Sequence, residues 1–432
     1  MRQIILKIIE TGGAKIYAVF LGILTITVTA RWLGVEGRGI YATVMTWVMI
    51  FVELSNLSLG SALMYHATKH RDDGWLGRTL GNLLVFTVIT TLVSWLIVAL
   101  LYLAGNRWGF ANLIGPIPLW PLVVGFLILP FAIWEHYTQA LFNIEDNLRR
   151  FNLYQIVGST SNSVLIVLLV IVIEVGVIGA LISALVWYSI VAVGGVRDLW
   201  SLARERVSKT GKAVTTNYHE LKVVLKDGFK AHFNILGSMM LLNIDIVMVN
   251  AYLGFEQTGI YQLAVQASQL MLIISYAGMT VLQGEATRVG VYGVWSYQKK
   301  ILALTFGGML IACITAALTA GWWIVLLAGE AFTPSVIIFQ LLMFSILEHT
   351  VTNMLSVQWI ARGLLWQLSA LSLSKGILNI VLNIILIPKY GLLGAVWATL
   401  GVAVYSTMIN IVVFIYFEVD VRRHFAKQEK PA

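Results

Sequence analysis

Apolar runs of roughly 20 residues recur along the whole chain between short polar breaks, and each is long enough to cross a hydrocarbon core about 30 Å thick as a helix. The pattern predicts twelve spans, at about 14–33, 39–64, 78–104, 117–141, 151–173, 177–197, 233–253, 259–283, 301–328, 335–357, 367–387 and 392–417. No stretch of mixed polarity is left for a large soluble domain. Composition points the same way: 59% of residues are hydrophobic, 12% are charged and the mean hydropathy is +0.84, whereas an ordinary soluble domain is about a quarter charged. The expected fold class is all-α integral membrane.

The run that follows "MRQIILKIIETGGAK" has no small-residue cleavage site before Gly34, so it reads as a retained span rather than a signal peptide. A single cysteine, Cys313, excludes intrachain disulfides and reads as apolar filler. The net charge of +8 is spread among short loops, which argues against a nucleic-acid partner. About 23 Lys and Arg fall in the N-terminus, the even-numbered connections and the C-terminus, against about 4 in the odd-numbered connections. This bias predicts that both termini are cytoplasmic. The longest connection, 198–232, is basic and divides the chain into segments 1–197 and 233–432. Within it, "YHELKVVLKDGF" sets Leu221, Val224, Leu225 and Phe229 at helical spacing opposite Lys222 and Lys226, the pattern of an amphipathic helix on the inner leaflet.

The two halves repeat each other. "LGVEGRGIY" (Leu33 to Tyr41) returns as "LGFEQTGIY" (Leu253 to Tyr261), "IWEHYTQAL" as "ILEHTVTNM", and "VGVIGA" (Val175 to Ala180) as "YGLLGA" (Tyr390 to Ala395). Three matches in one order predict two pseudo-symmetric six-helix bundles. An even number of spans per half keeps them parallel, with a substrate path between halves that rock by alternating access.

An ionisable residue at mid-membrane costs at least a few kcal/mol, so each is a functional candidate. Lys375 lies roughly 12 Å into span eleven at 1.5 Å per residue. Asn379 and Asn383 follow at i+4 and i+8, a cation-and-amide stripe suited to a phosphate or diphosphate; the alternative is an ion pair with a neighbouring acid. Glu53 and Asp245 sit near mid-depth as partners for Lys375 or as carriers of a coupling H+ or Na+. Glu135 with His136, and Glu348 with His349, occupy matching places in the two halves and suit proton-linked gating or interhelical hydrogen bonding. Polar stripes on span five (Asn152, Gln155, Ser159, Asn162) and span eight (Gln262, Gln266, Gln269) suit either sugar hydroxyls or helix–helix contacts. Lys15 and Arg31 complete the candidate substrate contacts, although Lys15 is placed to snorkel, and Arg31 and Arg38 to meet Glu36.

No nucleotide-binding G-x-x-x-x-G-K-[ST], no H-E-x-x-H, no G-x-S-x-G and no Cys/His metal spacing occurs in the sequence. The outer connection at about 105–116 is too short for a catalytic domain. The expectation is a transporter with no catalytic residues, no metal and no cofactor beyond a coupling ion.

"ARWLGVEGRGIY", "NIDIVMVNAYLGFEQTGIY" and "LNIVLNIILIPKYGLLGAVWATL" (Leu378 to Leu400) together resemble the outer-turn, seventh-helix and helix eleven-to-twelve motifs of Wzx-type oligosaccharide-lipid flippases. These belong to the multidrug/oligosaccharidyl-lipid/polysaccharide (MOP) exporter superfamily. The first-half counterpart of the Ile-Pro signature departs from the pattern, reading Ile173-Glu174-Val175-Gly176. The resemblance implies a two-bundle fold like that of the multidrug and toxin extruders (MATE). It implies a substrate, undecaprenyl-diphosphate oligosaccharide, moved to the outer leaflet of the cytoplasmic membrane for O-antigen, capsule or exopolysaccharide, with an ion gradient as driving force. It also implies membrane lipids, the polysaccharide polymerase and the chain-length machinery as partners. Three alternatives stand beside it: a MATE-like multidrug or cation antiporter, a flippase for lipid-linked peptidoglycan precursor, and a scaffold without transport. The antiporter would call for an acidic or aromatic cavity that Lys375 argues against. The peptidoglycan-precursor flippase usually has two further helices.

Overall fold

The computed structural model describes residues 2–67, 74–108, 114, 116–210 and 218–428. Helices follow one another as α1 (Arg2–Asn56), α2 (Leu59–Ala67), α3 (Trp75–Trp108), α4 (Leu119–Leu127), α5 (Leu129–Ile144), α6 (Leu148–Ile166), α7 (Val177–Thr210), α8 (Tyr218–Ala328), α9 (Pro334–Ala361), α10 (Leu365–Tyr390) and α11 (Leu392–Gln428). Among the described residues ten helices are long and apolar enough to cross a membrane. Three of them, 38 residues over Val19–Asn56, 49 over Ile235–Gln283 and 41 over Arg288–Ala328, far exceed the ~20 residues of one crossing. The first two are interrupted near the middle by a glycine in a left-handed conformation, Gly34 at φ 68° and Gly254 at φ 82°, whereas in the third the left-handed glycine, Gly290, stands two residues from its start. Dividing those two there gives twelve crossings among the described residues, helical throughout, the fifth ending in π-helical turns at Val167–Val172.

These two glycines are the second residues of the repeated "LG" turns, and the later pair in the repeat, Gly176 and Gly391, also has positive φ, at 68° and 59°. The repetition is therefore a repetition of helix breaks at positions where a Cβ is strained.

The chain forms two compact units, one of Met1–Met239 with Gly254–Gly259, the other of Met240–Leu253 with Ile260–Ala432. Within the first unit the segments Val35–Gly39 and Phe255–Gly259 lie backbone to backbone. A Cβ on Gly39 would sit 1.8 Å from the Phe255 carbonyl oxygen, and one on Gly259 would sit 2.0 Å from that of Val35. Backbone atoms give no relief, so Gly39→Ala is expected to cost about 1–3 kcal/mol or more, read as a lower melting temperature in detergent. Gly22→Ala, where open space surrounds the site, serves as the control. Equal melting of the two variants would contradict the close approach.

Two spans bend for identifiable reasons. Pro130 has no N–H for the carbonyl of Phe126, four residues earlier, and the Trp95 indole donates to that oxygen at 2.9 Å; α4 and α5 are the two sides of this break. The second span breaks at Leu57 and Ser58, both in left-handed conformations, at φ 45° and 54°. Such residues cost about 1–3 kcal/mol each, and here Asn56 holds the turn: its Oδ1 accepts from the Ser58 N–H at 2.7 Å and its Nδ2 donates to Glu53 at 2.9 Å.

The amphipathic stretch is helical from Tyr218 and runs on without a loop into the seventh crossing. The side chain of Leu221 lies outside the described residues. Val224 and Leu225 pack against the first unit's core, Phe229 is exposed, and Lys222 and Lys226 face outward. The expectation of a helix laid on lipid is corrected for Val224 and Leu225, because a protein surface covers them.

Ion pairs close corresponding ends of the two halves with the signs exchanged. Arg206 on α7 makes a bidentate contact with Glu145 after α5, at 2.5 and 3.1 Å. In the second unit Arg362 after α9 pairs with Asp420 on α11 and lies over the rings of Tyr292 and Phe417.

Candidate functional site

Two buried polar nests lie inside the second unit. Asp245, 6% exposed, enters from α8 into a ring of neutral donors: Asn383 Nδ2 at 2.6 Å, Thr399 Oγ1 at 2.9 Å and Tyr261 Oη at 3.1 Å. Asn379 Oδ1 accepts from Asn383 Nδ2 at 3.0 Å, while Asn383 Oδ1 and Asn379 Nδ2 are buried with no hydrogen-bond partner. Among the described residues Asp245 forms no ion pair. The carboxylate is held by hydrogen-bond donors alone among the described residues and borders a cavity, a placement in which it can take up a proton or a small hard cation.

Glu348 on α9 is the centre of the second nest. Its Oε1 accepts from Ser406, from Thr352 at 2.5 Å and from Asn410 at 3.2 Å, and it lies 3.4 Å from Lys375 Nζ. Its Oε2 lies 3.3 Å from His349 Nδ1. Lys375 Nζ also reaches Thr352 Oγ1 at 3.4 Å, and both charged side chains are 5% exposed. A cavity of about 60 Å³, room for a few waters, is bordered by Asp245, Tyr261, Gln269, Glu348, His349 and Thr399.

Sequence reasoning named Lys375, Asn379, Asn383, Asp245, Glu348 and His349. The structure gathers them into one unit, but as two clusters: Lys375 belongs with Glu348, while the two asparagines belong with Asp245. The polar stripe "KGILNIVLN" is thus shared between two acids. Thr352, Tyr261, Thr399, Ser406 and Asn410 were missed. Tyr261, Thr352 and Thr399 lie inside the repeated or family-like motifs, and the signal of Ser406 and Asn410 is polarity inside an apolar run, at i and i+4 on one face of α11.

In the first unit, Glu53 lies 3.8 Å from His136 Nε2, and Glu135 accepts from Gln155 Nε2 at 2.5 Å. Asn162 reaches Thr25 at 3.4 Å, so the span-five stripe bonds to neighbouring helices. Gln262 donates to Gln266 at 3.1 Å along α8 in the second unit. Arg31 is exposed on α1, and the Lys15 side chain lies outside the described residues. Arg38 turns inward rather than toward the exposed Glu36, donating to Thr29 Oγ1 at 2.5 Å and to the Ile26 carbonyl at 3.2 Å. His232, just before the seventh crossing, contacts Ser58 Oγ through Nδ1 at 3.2 Å. Burial lowers its pKa and the nearby Glu53 charge opposes the shift, so the ring favours the neutral form.

Solved structures of membrane transporters of the MOP superfamily share this helical fold. An inward-facing MATE-family multidrug transporter of the MOP superfamily superposes with a TM-score of 0.74 at 14% identity, covering 95% of this chain and 96% of its own. The lipid II flippase MurJ, in an inward closed conformation, gives 0.74 at 13% identity over 98% and 93%. A MOP transporter from Pyrococcus furiosus gives 0.54 at 14% identity over 94% and 86%. The profile of the family described as polysaccharide biosynthesis protein matches residues 6–282, and the chain belongs to that family. No curated protein sequence matches it significantly.

Proposed function

We propose that this protein is a flippase that carries a polyprenyl-diphosphate-linked oligosaccharide from the cytoplasmic to the outer leaflet of the cytoplasmic membrane, driven by an ion gradient, with both termini cytoplasmic. The observation that carries the reading is membership of a polysaccharide-biosynthesis family by a chain folded as a MOP transporter. A neighbour of the same fold is a flippase of lipid II, and a lipid-linked glycan is the form in which a hydrophilic repeat unit is presented to such a fold.

Each buried nest then has a task. Lys375 is the cation for the diphosphate: its contact to Glu348 at 3.4 Å is long for a charge-assisted hydrogen bond, and an incoming diphosphate competes with the carboxylate for it. Asp245, compensated by neutral donors alone among the described residues, takes the coupling H+ or Na+. The 60 Å³ cavity bordering both acids lets occupancy of one be felt by the other across water.

The test is reconstitution of the purified chain in liposomes loaded with lipid-linked glycan extracted from source membranes. Under an imposed proton or sodium gradient, glycan reachable by an external lectin should rise with time. A constant lectin-reachable fraction, together with gradient-dependent efflux of ethidium, would favour the multidrug reading.

A further inference from the structure

The polar groups that neither nest absorbs are concentrated elsewhere, in the first unit at the strained Leu57–Ser58 break. A cavity of about 460 Å³ opens there, within the ~300–1,000 Å³ range of small-ligand sites. Glu53, Asn56 and Ser58 from the break form one side; His136, Gln139 and Asn143, three and four residues apart on α5, form another. Met64, Leu148 and Ile235 add apolar wall.

The chemistry of this lining is selective. It holds no Lys or Arg, so it is not built for a phosphate. Its one carboxylate already has Asn56 at 2.9 Å and His136 at 3.8 Å, so it is not an open cation site. What remains are the amides of Asn56, Gln139 and Asn143, the hydroxyls of Ser58 and Tyr137 and the His136 ring, groups that pair donors with acceptors. Among the described residues Gln139 makes no side-chain hydrogen bond, and the Asn143 amide reaches only the Met64 sulfur, at 3.6 Å. Two adjacent carboxamides with spare donors and acceptors, a carboxylate that accepts, and thioether and aliphatic wall for C–H faces match a neutral ring bearing vicinal hydroxyls.

The surrounding framework is held rigid, which a recognition site needs. The Tyr137 hydroxyl reaches the Asn56 carbonyl at 3.4 Å, and His232 contacts Ser58. A Cβ on Gly60 would meet Ala140 Cβ at 3.1 Å, and one on Gly228 would meet the Leu57 carbonyl at 2.7 Å, so helices close on the break from two sides. The left-handed residues Leu57 and Ser58 directly follow Asn56 and lie beside Glu53, both part of the cavity wall.

We infer that the cavity lined by Glu53, Asn56, His136, Gln139 and Asn143 is a carbohydrate subsite that binds a hydroxyl-bearing sugar ring of the lipid-linked glycan. The inference rests on the flippase reading and adds to it a place for the glycan separate from the Lys375 nest.

The test uses the full chain in lipid nanodiscs with two probes: the lipid-linked glycan extracted from membranes of a strain lacking the gene, and sugar-free undecaprenyl diphosphate. Gln139→Ala and Asn143→Leu remove side chains that support no other part of the fold beyond one sulfur contact, and a single symmetrical peak on gel filtration checks this. The wild type should prefer the glycan-bearing lipid. Each variant should lose about fivefold to tenfold in affinity for it, the equivalent of one or two hydrogen bonds, with affinity for undecaprenyl diphosphate unchanged. Variants that keep the preference, or that lose both lipids equally, overturn the subsite and leave the flippase reading standing. A wild type that binds neither lipid overturns the flippase reading, and the subsite with it.

Discussion

Lys375→Ala is expected to fail twice, in stability and in transport, and the two failures are separable. Removing the lysine leaves Glu348 charged, 5% exposed on its side chain and without the cation 3.4 Å away. Breaking one side of a buried pair costs about 3–5 kcal/mol, a large fraction of a marginal stability. The loss should appear as a marked drop in melting temperature in detergent. Lys375→Met with Glu348→Gln removes both charges at once; the glutamine oxygen still accepts from Ser406, Thr352 or Asn410, so much of the melting temperature should return. Transport of lipid-linked glycan should not return, because the diphosphate has lost its cation. If the double variant regains transport along with stability, the pair is structural and the diphosphate contact lies elsewhere.

Asp245→Asn is expected to keep the fold and remove the response to the ion gradient. The substitution preserves shape in a site where every recorded partner is a neutral donor: Asn383, Thr399 and Tyr261. An amide cannot take a proton near neutral pH and offers one acceptor oxygen instead of two, so both modes of coupling are blocked. In reconstituted vesicles the rate with a gradient should fall to the rate without one, while melting changes far less than in Lys375→Ala. An unchanged ratio of the two rates would remove Asp245 from the coupling step.

The spans were legible because lipid imposes one requirement, about 20 consecutive apolar residues, that composition alone reveals. The repeated turn was legible for a related reason: Gly34 and Gly254 adopt a conformation that other residues resist, and Gly39 and Gly259 approach another backbone too closely for a Cβ. Constraints of that kind fix residue identity, and the motif shows twice.

The break at Ile128 has its sequence signal in Pro130, and that at Leu57–Ser58 in Asn56, whose side chain accepts from the Ser58 N–H. What a single run of sequence does not show is the bracing of the second break by Tyr137 on the Asn56 carbonyl and by His232 on Ser58, the last more than 170 residues away in sequence. Periodicity identified Lys375, Asn379 and Asn383 as one stripe but not that its ends serve different acids, since Glu348 and Asp245 approach from other helices. The face of the 218–229 segment was read as apolar, yet hydrophobicity does not distinguish a lipid surface from a protein surface, and Val224 and Leu225 meet protein.

The central claim, that the chain moves a lipid-linked glycan, is tested most directly in cells. Membranes of a strain lacking the gene should accumulate complete polyprenyl-diphosphate repeat units facing the cytoplasm, and the wild-type chain supplied in trans should clear them. An unchanged pool of these intermediates, with surface polysaccharide intact, would contradict the account.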